Sequence, residues 1–272
     1  MELENQTKEN SSKSEDNTPS SKKDQKGKSL KEYLLDGLMI FLAVVLGFIA
    51  ENIREDISEA NRTKVFASSM IDDLKSDTTE LKSRINYLTY ATANIDSLMH
   101  LFLTKNVKEI PSGKLYWYGL WGGARLSYVP NDATFEQMKS SGSLRYITNN
   151  SLLKKIVDYN QLGRLATIGQ ERDNYIYSEV RKIRGQIFDF RYNMEANDIY
   201  QANRETPDIQ KIDTFLNSKP PLLTDDNVIF NQYLELVRSR NLYSRLREAE
   251  NLLNHANVLI DELKKEYRIN SK

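Results

Sequence analysis

Ile71-Asp-Asp-Leu74-Lys-Ser-Asp-Thr78-Thr-Glu-Leu81-Lys-Ser-Arg-Ile85-Asn-Tyr-Leu88-Thr-Tyr-Ala-Thr92-Ala-Asn-Ile95-Asp-Ser-Leu-Met99-His-Leu-Phe102 carries one apolar seam at helical period. Ile71, Thr78, Ile85, Thr92 and Met99 take one heptad position, and Leu74, Leu81, Leu88, Ile95 and Phe102 take the other, so the spacings alternate between three and four. The threonines are the seam's only polar members. Neither Gly nor Pro occurs from Phe48 to Ile110, so nothing in the interval breaks a helix. The pattern predicts a continuous helix over about 56–104, which at 1.5 Å per residue rises roughly 75 Å. We assign its seam to a core within the chain in preference to a coiled coil between chains.

Working outward from this helix, Pro130 precedes an interval without proline, 131–206. Asn131 or Asp132 is placed to cap a short helix with Glu136 in its first turn, and Phe135 and Met138 share a face of it. Gly142 stands where a left-handed residue ends a helix, and Leu144 can fold back on it. Thr148, Asn149 or Asn150 then caps a longer helix through Leu152, Leu153, Ile156, Tyr159, Leu162, Leu165 and Ile168, continuing with Tyr175, Ile176, Val180, Ile183, Ile187 and Phe188. Gly163, Gly169 and Gly185 predict a kink or break in it. Pro207, Pro220 and Pro221 mark 193–226 as a connector with one turn of helix around Ile209 to Leu216. After Asp226 neither Gly nor Pro recurs, and Leu242, Leu246, Ala249, Leu253, Ala256, Ile260, Leu263 and Tyr267 repeat at four-and-three spacing. Stripes of this kind are hidden only when helices pack along one another. The expected fold class is therefore all-α: an elongated antiparallel bundle of three long helices, about 56–104, 150–190 and 226–268, following one N-terminal transmembrane helix.

That last element rests on Gly37-Leu-Met-Ile-Phe-Leu-Ala-Val-Val-Leu-Gly-Phe-Ile-Ala50, which has no polar side chain. It is shorter than the roughly 20 residues that cross a bilayer comfortably. Extending the span to 33–54 takes in Asp36, Glu51 and Asn52 near its ends, where tilt and interfacial water accommodate them. A cleaved signal peptide is disfavoured because Phe48 occupies the small-residue position that cleavage after Ala50 requires. A buried core helix is disfavoured because the run is apolar on every face. Residues 1–30 are nearly devoid of apolar side chains and are expected to form a disordered tail. Lys22, Lys23, Lys26, Lys28 and Lys31 crowd its end, whereas Arg54, Arg62 and Lys64 beyond the span are mixed with acids. The basic bias places the tail in the cytoplasm and residues 55–272 outside it.

Composition narrows the function. The 272 residues carry 38 Lys+Arg and 38 Asp+Glu, a balance that argues against a nucleic-acid partner held by phosphate attraction. There is no cysteine, which removes disulfides, thiolate metal sites and cysteine nucleophiles. His100 and His255 are the only histidines, and Ser97 and Leu252 stand where a di-iron Glu-x-x-His motif needs Glu. Phosphate-cradling and nucleophile-elbow motifs are absent. Asp73 and Asp77, one turn apart, read as solvated acids on an outer helix face rather than metal ligands. The chain is accordingly expected to be no enzyme and to carry no cofactor and no metal.

One connector stands apart: Leu115-Tyr-Trp-Tyr-Gly-Leu-Trp-Gly-Gly-Ala-Arg-Leu-Ser-Tyr-Val129, with both tryptophans of the chain. Trp, Tyr and Arg dominate protein interfaces, which makes Tyr116, Trp117, Tyr118, Trp121 and Arg125 the candidate partner-binding residues. The alternative is that these rings cap the open end of the bundle and bury their own area. Insertion of the rings into a membrane interface ranks third.

Two segments carry a resemblance. One is the apolar span ending in Ala50-Glu51-Asn52, with Arg54-Glu55 leading into a long helix. The other is Pro130 followed by Ala133-Thr-Phe-Glu-Gln-Met-Lys-Ser-Ser-Gly-Ser-Leu-Arg-Tyr-Ile147 and Asn150-Ser-Leu-Leu-Lys-Lys-Ile156. Together, over residues 33–190, the chain resembles a domain-of-unknown-function family of uncharacterised single-pass membrane proteins of the Bacteroidota. The resemblance implies an anchor and a helical extracytoplasmic region, with no activity or ligand set attached. The expectation is a membrane-anchored interaction or scaffold protein of the bacterial envelope, in the inner membrane with its bulk periplasmic. Its partners would be the bilayer, through residues 33–54, and a protein partner or a second copy. A sensor-like ligand-binding ectodomain signalling through a separate membrane partner is the alternative.

Overall fold

A computed structural model describes residues 29–125, 127–204 and 206–270. The tail expected over 1–30 lies, up to residue 28, outside the described residues. The chain divides into two units, Met1–Asp56 and Ile57–Lys272. Every regular element among the described residues is helical, with no strand.

The described part of the first unit belongs to α1 (Leu30–Thr104). Its large apolar side chains, Leu38, Met39, Ile40, Phe41, Leu46 and Phe48 among them, are exposed, with Val45 half-buried.

In the second unit the rest of α1 buries a stripe. Ile71, Leu74, Thr78, Leu81, Leu88, Thr92 and Ile95 are buried, while Ile85, Met99 and Phe102 are half-buried. Ala67, Met70, Ala91 and Leu98 are buried as well, so the stripe is wider than two positions per heptad, as for a helix set into a multi-helix core. The seam threonines are satisfied within the helix: the Thr78 hydroxyl donates to the Lys75 carbonyl at 2.8 Å and Thr92 to that of Leu88 at 2.9 Å.

Beyond α1 come α2 (Ser112–Gly119) and a 3-10 turn at Trp121–Gly123. Residues 127–132 then run back along α1. The Tyr128 amide donates to Gln170 Oε1 at 2.8 Å and the Asn131 amide to Asp77 Oδ1 at 2.9 Å. The segment delivers α3 (Ala133–Ser140), whose first-turn amide at Thr134 donates to Asp73 Oδ2 of α1 at 3.1 Å. Asp132 precedes α3 but its side chain makes no capping bond, so the cap comes from another helix. Gly142 ends the motif with φ +69°.

Asn149 caps α4 (Asn150–Ile187), accepting from the amides of Ser151 and Leu152 at 3.1 Å each. The expected break is absent: α4 runs unbroken from Asn150 to Ile187. At Gly169 the Arg245 guanidinium lies across the backbone and donates to the Gly169 carbonyl, so the missing side chain serves a close approach. The connector holds α5 (Phe190–Ala202), which the sequence reading missed, and α6 (Ile209–Leu216) where one helical turn was expected. The last expected helix is two, α7 (Asn227–Ser239) and α8 (Leu242–Tyr267). They part at Asn241, whose φ of +50° puts it in the left-handed region that Asn tolerates.

Cross-helix pairs give the directions. Tyr159 meets Asp77 and Gln170 meets Arg84, so α4 runs parallel to α1. Glu262 meets Lys155, Arg245 meets Gly169 and Arg240 meets Asp173, so α7 and α8 descend antiparallel to α4. An up-down-up order of three long helices would have made α1 and α4 antiparallel; the return of the chain through Tyr128 and Asn131 removes that requirement. Two apolar clusters result. One joins residues 88–98 of α1 to α2, α5, α6 and α7, and the other joins residues 66–81 to Tyr128, α3, the first half of α4 and α8.

Candidate functional site

The aromatic segment is not a loop but α2 and the 3-10 turn after it, and most of it is core. Tyr116, Trp117 and Trp121 are only 0%, 3% and 4% exposed. Trp121 sits edge-on among Tyr87, Tyr90 and Tyr200, with ring centroids 5.6, 4.8 and 4.8 Å away. The Tyr116 hydroxyl donates to the Pro221 carbonyl at 2.7 Å and accepts from the Asp189 amide at 2.9 Å. Tyr233 of α7 donates to the Gly119 carbonyl at 2.6 Å, and burial pushes its phenol up to about 12. The partner-facing role expected of Tyr116, Trp117 and Trp121 is thereby corrected: their rings pack against α1, α5 and α6. Rings of this size gain more by filling the chain's own core than by waiting in water. Tyr118 is half-buried and Arg125 exposed, so these two of the five remain accessible.

Arg125 leads to a convergence that sequence reasoning missed. Its guanidinium lies over the Tyr177 ring at 5.6 Å from the centroid, and those of Arg181 and Arg240 lie at 5.8 and 5.3 Å from the same centroid. Arg240 is buried. It forms a bidentate pair with Asp173 at 2.9 and 2.6 Å and donates to the Gly122 carbonyl at 2.8 Å. Arg184 reaches the same turn, bonded through Nη2 to Asn193 Oδ1, with its Nε buried and without a partner. Arg181 and Arg184 lie on α4, whereas Arg125 and Arg240 come from elsewhere in the chain. Only the spacing of Tyr177, Arg181 and Arg184 at four and three hinted at a shared face.

A second feature is a groove of about 620 Å³ between the end of α1 and the α7–α8 junction, lined by Ile95, Asp96, Met99, Val237, Arg238 and Tyr243. A neighbouring hollow of about 410 Å³ shares Met99 and Arg238 with it and adds Phe102, Leu103, Phe230 and Leu234. Leu103 at its rim is 84% exposed.

Asp77 departs from its expected place on an outer face. It is 2% exposed, accepting from the Tyr159 hydroxyl at 2.6 Å and the Asn131 amide at 2.9 Å. Burial pushes its carboxyl above the ordinary range, against those two hydrogen bonds and with a further push from Asp73 and Asp132. Burial also pushes the Tyr159 phenol up. The arrangement ties the returning segment at Asn131 to α1 and α4, and both Asp77 oxygens are occupied in doing so. Among the described residues no group of three or more His, Asp or Glu side chains could hold a metal ion. No family model, curated protein or solved structure matches the chain.

Proposed function

We propose that the protein is a membrane-anchored, non-catalytic interaction or scaffold protein of the bacterial envelope, as the resemblance to single-pass membrane proteins of the Bacteroidota implies. Residues 33–54 form the anchor, the N-terminus is cytoplasmic, and an elongated bundle built on α1, α4 and α7–α8 occupies the periplasm. The observation that carries this reading is the exposed apolar stretch of α1. An 18-residue window there averages a hydropathy of 2.3 with none of it buried. An all-round apolar surface of that length is stable in lipid and costly in water. Membrane fractionation with protease protection on spheroplasts, using tags at both ends, tests it. The C-terminal tag should be membrane-bound and digested from outside; a protected tag or a soluble protein overturns the orientation or the anchor.

A sensor-like ectodomain is the second reading, favoured by the groove beside Asp96, Met99 and Tyr243, large enough for a small molecule. A ligand of the folded state raises thermal stability as the logarithm of its concentration over Kd, so a small molecule that shifts the melting temperature of the full chain, and fails to do so in Met99→Arg, supports it.

A further inference from the structure

We propose that Arg125, Arg181 and Arg184 form a binding site for a phosphate group, at the rim where the 3-10 turn meets α4. The site goes beyond the membrane-scaffold reading and does not depend on it. Three observations carry it. Arg125 and Arg181 are exposed and lie over one tyrosine ring, yet neither has an ion pair or side-chain hydrogen bond among the described residues. The carboxylate next to them, Asp173, has both oxygens taken by Arg240. Arg184 has only the neutral Asn193 amide oxygen as acceptor, and its Nε has none.

Cation–π contact spends no N–H donor on an acceptor, so Tyr177 holds Arg125 and Arg181 beside its ring without consuming their forks. Gathering like charges without a counter-charge is unfavourable, and an oxyanion reverses the sign of that interaction. Phosphate fits better than carboxylate. Its oxygens radiate in three dimensions and carry up to two charges, matching donors that arrive from separate chain positions, whereas one planar carboxylate is matched by a single fork. The turn itself is shaped for the approach: a Cβ on Gly123 would stand 3.0 Å from Arg184 Nη1, so a side chain there would press on the guanidinium.

The test is titration of inorganic phosphate into the full chain in detergent at constant ionic strength, read by calorimetry. Saturable binding is expected. Arg125→Gln and Arg181→Gln, both at exposed positions and therefore compatible with folding, should each weaken it roughly tenfold, the loss of one charge-assisted contact. Arg172→Gln, an exposed arginine of α4 that touches neither Tyr177 nor the turn, should leave it unchanged. Dihexanoyl phosphatidate below its micellar concentration separates the two sources of the group: tighter binding than phosphate assigns a lipid headgroup, equal or weaker binding a soluble phosphate. Absence of saturable binding by either probe, or equal affinity in the wild type and both glutamine variants, overturns the proposal.

Discussion

Arg240 and Asp173 form an ion pair whose cation is closed off from water, with side chains only 1% and 14% exposed. Arg240 follows α7 and Asp173 lies mid-way along α4, so the pair sets the register between them. Removing one member leaves the other charged and desolvated. Arg240→Ala should therefore cost about 3–5 kcal/mol, and the double variant Arg240→Met with Asp173→Leu should recover much of the loss. Chemical denaturation of the purified chain measures both; a loss within the range of an exposed pair would contradict the buried geometry.

Trp121 separates packing from hydrogen bonding. Its indole Nε1 is buried with no partner, so the ring contributes through contact alone. Trp121→Phe should be tolerated at a cost of about 1 kcal/mol, whereas Trp121→Ala opens a cavity among Tyr87, Tyr90 and Tyr200 and should cost about 3–5 kcal/mol. Near-equal losses in the two variants would show that the indole N–H matters.

Asp77 predicts the sign of a pH effect. Its folded-state carboxyl is raised by burial, so its stabilising contribution is complete below the unfolded value of about 4 and is lost as pH rises through the folded value. Asp77→Asn is neutral throughout and keeps an acceptor for the Asn131 amide. The melting temperature of Asp77→Asn relative to wild type should therefore rise between about pH 4 and pH 7. A difference that is flat across this window would place the carboxylate in water.

The left-handed residue between α7 and α8 makes a conformational prediction. Asn241 has φ +50°, which glycine adopts freely and β-branched residues avoid. Asn241→Gly should leave stability within about 0.5 kcal/mol, and Asn241→Val should lose about 1–2 kcal/mol. Equal tolerance of the two, followed by thermal denaturation, would mean that the helices run on as one.

Much of the helical content was legible locally. Gly142 terminates its motif as its position predicts, Asn149 caps α4, and the short helix at Ile209–Leu216 stands between prolines as read. The misses share a cause. Asn241 is an ordinary helix residue until Arg240 turns inward to Asp173, 67 residues away. Gly169 is a helix weakener until Arg245 lies across it, and Asp77 is a solvated acid until Asn131 and Tyr159 arrive. At the candidate site the residue types pointed to Tyr116, Trp117, Tyr118, Trp121 and Arg125, but nothing local told which would be consumed by the core.

By itself the sequence determined the all-helical class, the apolar run of 37–50, the stripe of α1, the cap at Asn149 and the stop at Gly142. Each depends on side chains within about two helical turns of one another, where period and backbone chemistry act directly. Only the tertiary structure decided that α1 and α4 run parallel, that the tryptophans are core, and that Arg125, Arg181, Arg184 and Arg240 gather around one turn and one tyrosine ring. Those outcomes rest on pairings between residues far apart in the chain, each selected by what the rest of the fold leaves buried or charged nearby.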